Sequence, residues 1–254
     1  MLQQPLISVI TVCYNSASTL DRALQSVVKQ DWPRIEHIVI DGGSVDGSLE
    51  ILQRHLPHLA KVVSEPDAGI YDAMNKGLER ATGDIICFLN SDDYYASSDI
   101  LSRVAVQMRD EGLHALMGDV ALFHSSEPGK MIRRYRSGRF SPNRLAWGWM
   151  PAHPALFLRT DVVRRVGRFK TDFRIAGDFE FIIRAFIGHE LLYRHVPDVL
   201  VYMQSGGAST LGLRSKIRLN QEVLRACREN GLRTNIFKIL SKYPMKIWEM
   251  INLK

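Results

Sequence analysis

Cysteine is scarce, with three in 254 residues, at Cys13, Cys87 and Cys227. An odd count at wide spacing builds no disulfide framework and no zinc motif, so a reducing compartment fits. Cys13 and Cys87 fall inside apolar strands, where a thiol serves as a small core side chain. No apolar run approaches the ~20 residues of a membrane span. The opening MLQQPLISVI has no basic n-region and no cleavage site, so no signal peptide is read and a cytoplasmic location is expected. Glycine is absent before Gly42, and no Lys or Arg occurs between Leu6 and Asp21. Neither GxGxxG nor GxxxxGK[ST] occurs. The first strand-to-helix loop therefore lacks the means to cradle phosphate, which argues against a dinucleotide dehydrogenase or a P-loop ATPase. A sugar-phosphate nucleotidyltransferase would likewise need a Gly-rich, basic first loop, and CYNSAST is neither.

What is present is ordinary soluble composition, 46% apolar and 24% charged, with ample material for a core. The net charge of +6 is uneven. From Arg214 onward there are ten Lys/Arg against three Asp/Glu, leaving 23 against 24 in the rest. The basic character belongs to the C-terminal tail. A nucleic-acid-binding module using that tail is an alternative reading. Basic tails more often meet membranes or solvent, so no nucleic-acid partner is expected.

Leu6–Cys13 is a β-rich apolar run and reads as a buried strand. Leu20, Ala23, Leu24, Val27 and Val28 follow at helical spacing, with Ser18 or Thr19 as N-cap. Strands are expected at Ile35–Ile40, Lys61–Ser64 and Asp84–Leu89, and helices at about Asp46–Leu56 and Ile70–Thr82. Four strand–helix alternations imply an α/β fold with a mainly parallel sheet. Beyond Asp93, a helix is read at Ile100–Met108 and a strand at Ala115–His124, with Met131–Arg136 pairing to it. Phe140–Pro154 reads as a loop or lid, Ala155–Arg159 as a strand, the stretch from Phe179 to Ile187 as a helix, and Leu191–Met203 as extended. Basic helices close the chain.

Ligands of open α/β sheets sit at the carboxyl ends of the strands. Here those ends are unusually polar. The first ends near Thr11, Tyr14 and Asn15, the second in DGGSVDG, the third in EPDAGIYD and the fourth in NSDD. Turns and caps use such residues too, but four polar loops on one edge, three of them acidic, suggest a hard cation with oxygen ligands. Mg²⁺ or Mn²⁺ would explain why Asp92 and Asp93, read here as an exposed and mutually repelling pair, tolerate each other.

These strings resemble a known family. ISVITVCYNSASTLDRALQSV, HIVIDGGSVDGS, EPDAGIYDAMNKGLERATGD and FLNSDD are similar to family 2 glycosyltransferases of the GT-A fold, most of all to bacterial enzymes of surface-polysaccharide assembly. Weaker matches follow at Gly167–Phe169, Gly177–Arg184 and Ser205–Ser209. The resemblance implies transfer of a sugar from a UDP- or GDP-linked donor to a glycan or lipid-linked acceptor, with Mg²⁺ or Mn²⁺ as cofactor. It implies that Asp41 receives the nucleobase N–H, that Thr11 and Tyr14 line the base pocket, and that Asn15 and Asp67 join the nucleotide-sugar site. Asp92 and Asp93 match the DxD-like pair, with Asp93 as the principal metal ligand. Asp178 matches the general base, although a helix N-cap is its other reading, with Glu180 as reserve. His153 could ligate the metal, touch the diphosphate, or be structural. Two positions depart from the pattern: Gly177 stands where a Glu is usual, and Met74 where an Arg is usual, leaving that Arg's contacts to Tyr71 or Lys76.

A processive synthase would need membrane spans and a Gln-x-x-Arg-Trp motif, and no Arg-Trp dipeptide occurs, so a single addition is expected. Residues 1–211 are read as the catalytic domain, divided near 95 into nucleotide and acceptor halves, with 212–254 as basic amphipathic helices. In the latter, Ile236, Ile239, Leu240 and Tyr243 form one apolar face beside Phe237, and Ile247, Trp248 and Ile251 another, with Lys238, Lys242 and Lys246 on the polar side. That pattern suits a helix lying on an anionic membrane surface, or one covering the domain's own core.

Overall fold

A computed structural model of the chain describes residues 4–110, 112–124, 127–205 and 212–244. Four strands, β1 (Ile7–Cys13), β2 (Ile35–Asp41), β3 (Lys61–Ser64) and β4 (Ile85–Phe88), pair in parallel in the order β3-β2-β1-β4. All seven residues of β1 are buried. Ile10 and Val12 enter one core, Ile7 and Val9 the other. Both faces are covered, so the strand needs no polar alternation. The helices α1 (Leu20–Val28), α2 (Ser48–His55) and α3 (Ile70–Arg80) connect these strands. α1 buries Leu20, Ala23, Leu24 and Val27. Val28, expected on that face, is exposed; it lies about 100° round from Val27, at the edge of the stripe. Thr19 holds the N-cap position, but its hydroxyl donates to Ser16 O at 3.3 Å and does not cap.

The second half adds β5 (Tyr94–Tyr95), α4 (Ile100–Gln107), β6 (Ala115–His124), β7 (Glu127–Tyr135), β8 (Leu156–Arg159), α5 (Thr160–Val166), α6 (Gly177–Gly188) and β9 (Tyr193–Gln204). β8 runs antiparallel between β4 and β6, β6 runs parallel to β9, and β7 returns along β6 as an antiparallel hairpin. β5 pairs with β9 at the far end. The sequence reading had neither β5 nor α5. α5 is TDVVRRV, a poor helix former, and the burial of Val162, Val163 and Val166 outweighs its propensity. Phe140–Pro154 forms successive short 3₁₀ turns pinned by buried Leu145 and by Phe140, whose ring meets Phe186 edge-on at 4.9 Å.

Two further helices, α7 (Gly212–Glu229) and α8 (Ile236–Leu240), close the described chain. Val223, Ala226, Cys227 and Ile239 belong to the same core cluster as Ile10 and Ile182. The face predicted on α8 is therefore divided. Ile239 is fully buried, whereas Phe237, Ile236 and Leu240 are exposed. Lys246, Ile247, Trp248 and Ile251 lie outside the described residues. Among the described residues no helix is long and apolar enough to cross a membrane.

α3 carries Tyr71 to the sheet's carboxyl edge, and its seat on β1 is tight. A Cβ on Gly77 would stand 2.4 Å from Ile10 Cγ2. Alanine in place of glycine raises intrinsic helix stability by ~1 kcal/mol. Overpacking a core costs ~1–3 kcal/mol and should win here. Gly77→Ala is expected to lower the urea unfolding midpoint; an unchanged or higher midpoint would mean that α3 can lift from β1 without loss.

Candidate active site

The loops after β1, β3 and β4 and the start of α6 open onto one cavity of about 580 Å³. Its walls bring together Tyr14, Asn15, Asp67, Tyr71, Asp92, Asp93, His153 and Asp178. Asn15 takes a left-handed φ of 49°, which asparagine tolerates. There its Oδ1 accepts from Val45 N at 2.9 Å and its N–H donates to Ser44 Oγ at 2.7 Å, joining the first two loops. Asp67 Oδ2 lies where a Cβ on Gly42 would stand 2.4 Å away, so the glycine at 42 admits it.

Contrary to expectation, Asp93 is buried and Asp92 is half-buried. Asp93 is 1% exposed. Its Oδ1 accepts from Gln204 N at 3.3 Å, while Oδ2 is buried without a hydrogen-bond partner. Burial, then the neighbouring Asp92, pushes the Asp93 carboxyl well above its ordinary range. Burial raises Asp92 as well, while His153 and Arg22 oppose that. Arg22 is the offsetting charge that the sequence reading missed. It comes from α1, donates to Asp92 O at 3.5 Å and to Gln204 Oε1 at 3.1 Å, and its guanidinium carbon lies 4.7 and 4.9 Å from the Tyr94 and Phe123 ring centres. No local signal marks it, because its partners lie 70 and 182 residues away.

Opposite the pair, Asp178 sits in the first turn of α6, whose N-cap is Ala176. Asp178 is thus not the cap residue. Oδ1 accepts from Phe179 N at 2.8 Å, and Oδ2 meets His153 Nδ1 at 3.2 Å. His153 Nε2 faces Asn90 Nδ2 at 3.3 Å. In the contact with Asp178, Nδ1 carries a proton and the carboxylate accepts it as a hydrogen bond. The Asp178 side chain is 17% exposed and so accessible from the cavity. Tyr71 OH donates to Ile175 O at 2.7 Å and more weakly to Asp178 Oδ1 at 3.4 Å. Burial, then Asp178, raises the Tyr71 pKa, so the phenol stays protonated. Gly177 has its explanation in that ring: a Cβ there would stand 2.7 Å from Tyr71 Cε2.

Other expected residues lie outside the cavity lining. Thr11 is fully buried and bonds His37 Nε2 at 3.0 Å. Burial and His55 push His37 down to about 3, so that ring is neutral. Asp41 is fully buried and accepts from the Ser44 and Ser64 hydroxyls and from the Gly43 and Ser44 N–H groups. Burial works to raise its pKa, but these donors outweigh it and hold the carboxyl below its ordinary value. A nucleobase contact from Asp41 would require those bonds to exchange. Lys76 pairs with Glu65 at 2.9 Å and Asp72 at 3.7 Å. Glu180 is fully buried against Arg184 and Lys170, which removes it as reserve base. Met74 is a buried cavity-wall residue. Arg174, absent from the sequence reading, is exposed and lines the cavity, and its guanidinium has no hydrogen-bond or ion-pair partner among the described residues.

The residues present fit a hard divalent cation. Asn90 Oδ1 and Asp93 Oδ2 are both buried oxygen acceptors without partners, on one short turn after β4. Among the described residues no three His, Cys, Asp or Glu side chains form a metal cluster, so water and substrate oxygens would complete the shell, as Mg²⁺ and Mn²⁺ allow.

This architecture is the GT-A fold, and the comparisons with known proteins agree. Among solved structures, S. aureus TarS 1-349 in complex with UDP-GlcNAc gives a TM-score of 0.68 at 18% identity over 87% of this chain and 66% of that one. The mannosyltransferase PcManGT from Pyrobaculum calidifontis, in complex with GDP-Man and Mn²⁺, gives 0.66 at 21% identity over 94% and 69%. This chain spans 39% of the longer TarS chain. An uncharacterized glycosyltransferase of Mycobacterium tuberculosis strain H37Rv is 37% identical over 188 residues, 73% of this chain and 70% of its own. A PGL/p-HBAD biosynthesis glycosyltransferase of Mycobacterium bovis BCG is 31% identical over 211 residues, 81% and 79% of the two chains. The model of glycosyl transferase family 2 matches residues 8–172, and the chain belongs to that family.

Because the Asp93 pKa is raised in the folded state, its charge destabilises the metal-free protein above that raised value. The penalty vanishes as pH falls toward the ordinary carboxylate value near 4. Asp93→Asn is expected to raise the melting temperature at neutral pH without divalent metal. That gain should shrink on acidification. A variant less stable than wild type at pH 7 would contradict a buried Asp93 carboxyl whose ionisation costs stability.

Proposed function

We propose that the chain transfers a sugar from a UDP- or GDP-linked donor to a hydroxyl of a glycan or lipid-linked acceptor, in single additions, with inversion and with Mg²⁺ or Mn²⁺. The observation that carries this reading is one cavity holding both the Asp92–Asp93 pair and Asp178. Its volume of about 580 Å³ suits a small-molecule ligand. Asp93 and Asp92 would hold the cation, which when bound acts as a Lewis acid toward the leaving diphosphate. Arg174 supplies a fixed positive charge at the same cavity. Tyr14 offers an exposed ring for the base, and Asp67 a carboxylate beside it. Asp178 accepts the proton of the attacking hydroxyl, held in orientation by His153. A single proton acceptor with direct displacement inverts the anomeric centre, with no covalent carboxylate partner.

Asp178→Asn is expected to keep nucleoside diphosphate affinity and to lose turnover by ~10²–10⁴. A thermal-shift panel of UDP, GDP and other nucleoside diphosphates, with and without Mn²⁺, ranks the carriers, since a hundredfold excess over Kd adds ~2.7 kcal/mol. Full activity of Asp178→Asn would remove the base assignment, and full activity in excess chelator would remove the metal.

The outer face of α8 supports contact with an anionic membrane surface. Phe237 is 81% and Trp147 44% exposed, and Lys238 Nζ lies 5.4 Å from the Trp147 ring centre. Aromatic side chains beside lysine suit the headgroup layer. Each lysine near anionic lipid adds ~1 kcal/mol, and added salt screens it. Phe237→Glu is expected to reduce cosedimentation with anionic vesicles at low salt while leaving the melting temperature unchanged. Equal pelleting of variant and wild type, or no pelleting of either, would rule this surface out.

A further inference from the structure

Helix α7 reaches the segment that delivers Asp178. Glu222 Oε1 accepts from Arg174 N at 3.1 Å, and Oε2 accepts from Ile175 N at 2.8 Å and Ala176 N at 2.9 Å. Three consecutive backbone N–H groups thus converge on one carboxylate, 46 to 48 residues away in sequence. Such a run of amides makes a natural anion cradle. Here the anion belongs to the protein. It lies immediately before α6, where the N-cap residue is Ala176 and has no side-chain acceptor of its own. Val223, Ala226 and Cys227 on the same helix are buried, which fixes the carboxylate's approach. From the other side, Tyr71 OH donates to Ile175 O at 2.7 Å. The peptide units around 175 are therefore held by α3 and α7 together, while Arg174 and Asp178 line the cavity on either side of them.

We infer that Glu222 is a positioning residue for transfer, and that the C-terminal basic helix α7 is part of the catalytic machinery. This rests on the assignment of Asp178 as base. Glu222 itself does not line the cavity. It acts by fixing the backbone from which Asp178 and Arg174 reach the cavity. A small displacement of a general base falls directly on the rate, because the proton transfer needs hydrogen-bond distance. The nucleotide-facing residues Tyr14, Asn15 and Asp67 stand on other loops and should not sense the change.

The test uses the full chain with Glu222→Ala and Glu222→Gln, assayed with the UDP- or GDP-sugar that wild type turns over best. Glu222→Ala is expected to lower kcat by ~10–100-fold, with a smaller loss of nucleoside diphosphate affinity through the displaced Arg174. Glu222→Gln keeps one carbonyl acceptor and should recover part of the loss, giving the order wild type, Gln, Ala. Hydrogen exchange should show the amides of residues 174–176 deprotected in Glu222→Ala while β1 and β4 stay protected. Wild-type kcat in both variants, whatever their melting temperatures, would overturn the inference. So would a loss of kcat matched by an equal loss of nucleotide affinity. Asp178→Asn, run alongside, separates the two levels. If it remains active, the base assignment fails; if it is dead while Glu222→Ala is fully active, only the role of Glu222 fails.

Discussion

Two adjacent carboxylates at the end of one strand, one of them held out of water, set the terms for the rest of this molecule. Asp92 and Asp93 follow β4, the strand flanked by β1 on one side and β8 on the other. Desolvation and mutual repulsion both disfavour their charge. The protein offsets this only in part. Arg22 stands behind the pair, braced by Tyr94 and Phe123, and Gln204 joins Arg22 to Asp93 through its side chain and its N–H. One acceptor of Asp93 remains without a donor. A buried polar atom of that kind costs stability. Its persistence where the loops after β1, β3 and β4 meet fits a site built to be completed by a cation.

The second half of the fold serves the first by bringing distant chain to this edge. β9 ends at Gln204, beside residues more than a hundred positions earlier. α6 begins with Asp178, and its approach is set by close packing. The Tyr71 ring occupies the space where a side chain on 177 would be, and its hydroxyl holds Ile175. α7 completes the frame through Glu222. Electrostatics at β4 and sterics at Gly177 thus act together: one creates the demand for positive charge, the other fixes Asp178 at the same cavity.

Much of this was legible beforehand. Continuous apolar runs located β1 through β4 and helical spacing located α1 through α3, because both faces of a parallel strand and one stripe of each helix must be apolar. The strings around Asp67, Asp92 and Asp178 indicated the family and the cavity. Other features were not legible. Thr11, Asp41 and Lys76 sit in the expected strings, yet hydrogen bonds and ion pairs inside the protein take up their polar atoms. Arg22 follows a loop without any basic residue and gave no sign of facing the acidic pair. β5 is two residues long, and α5 is valine-rich, so neither carries a local signal strong enough to read.

The sequence by itself determined the parallel half-sheet, the acidic strand ends and the family, since these follow from local periodicity and contiguous strings. Only the tertiary structure decided which charges meet. The pairing of Arg22 with Gln204, the His153–Asp178 contact and the Glu222 clamp join residues 25 to 182 positions apart. Such contacts depend on how strands and helices stack, and a side chain's neighbours across a core leave no trace in the residues beside it along the chain.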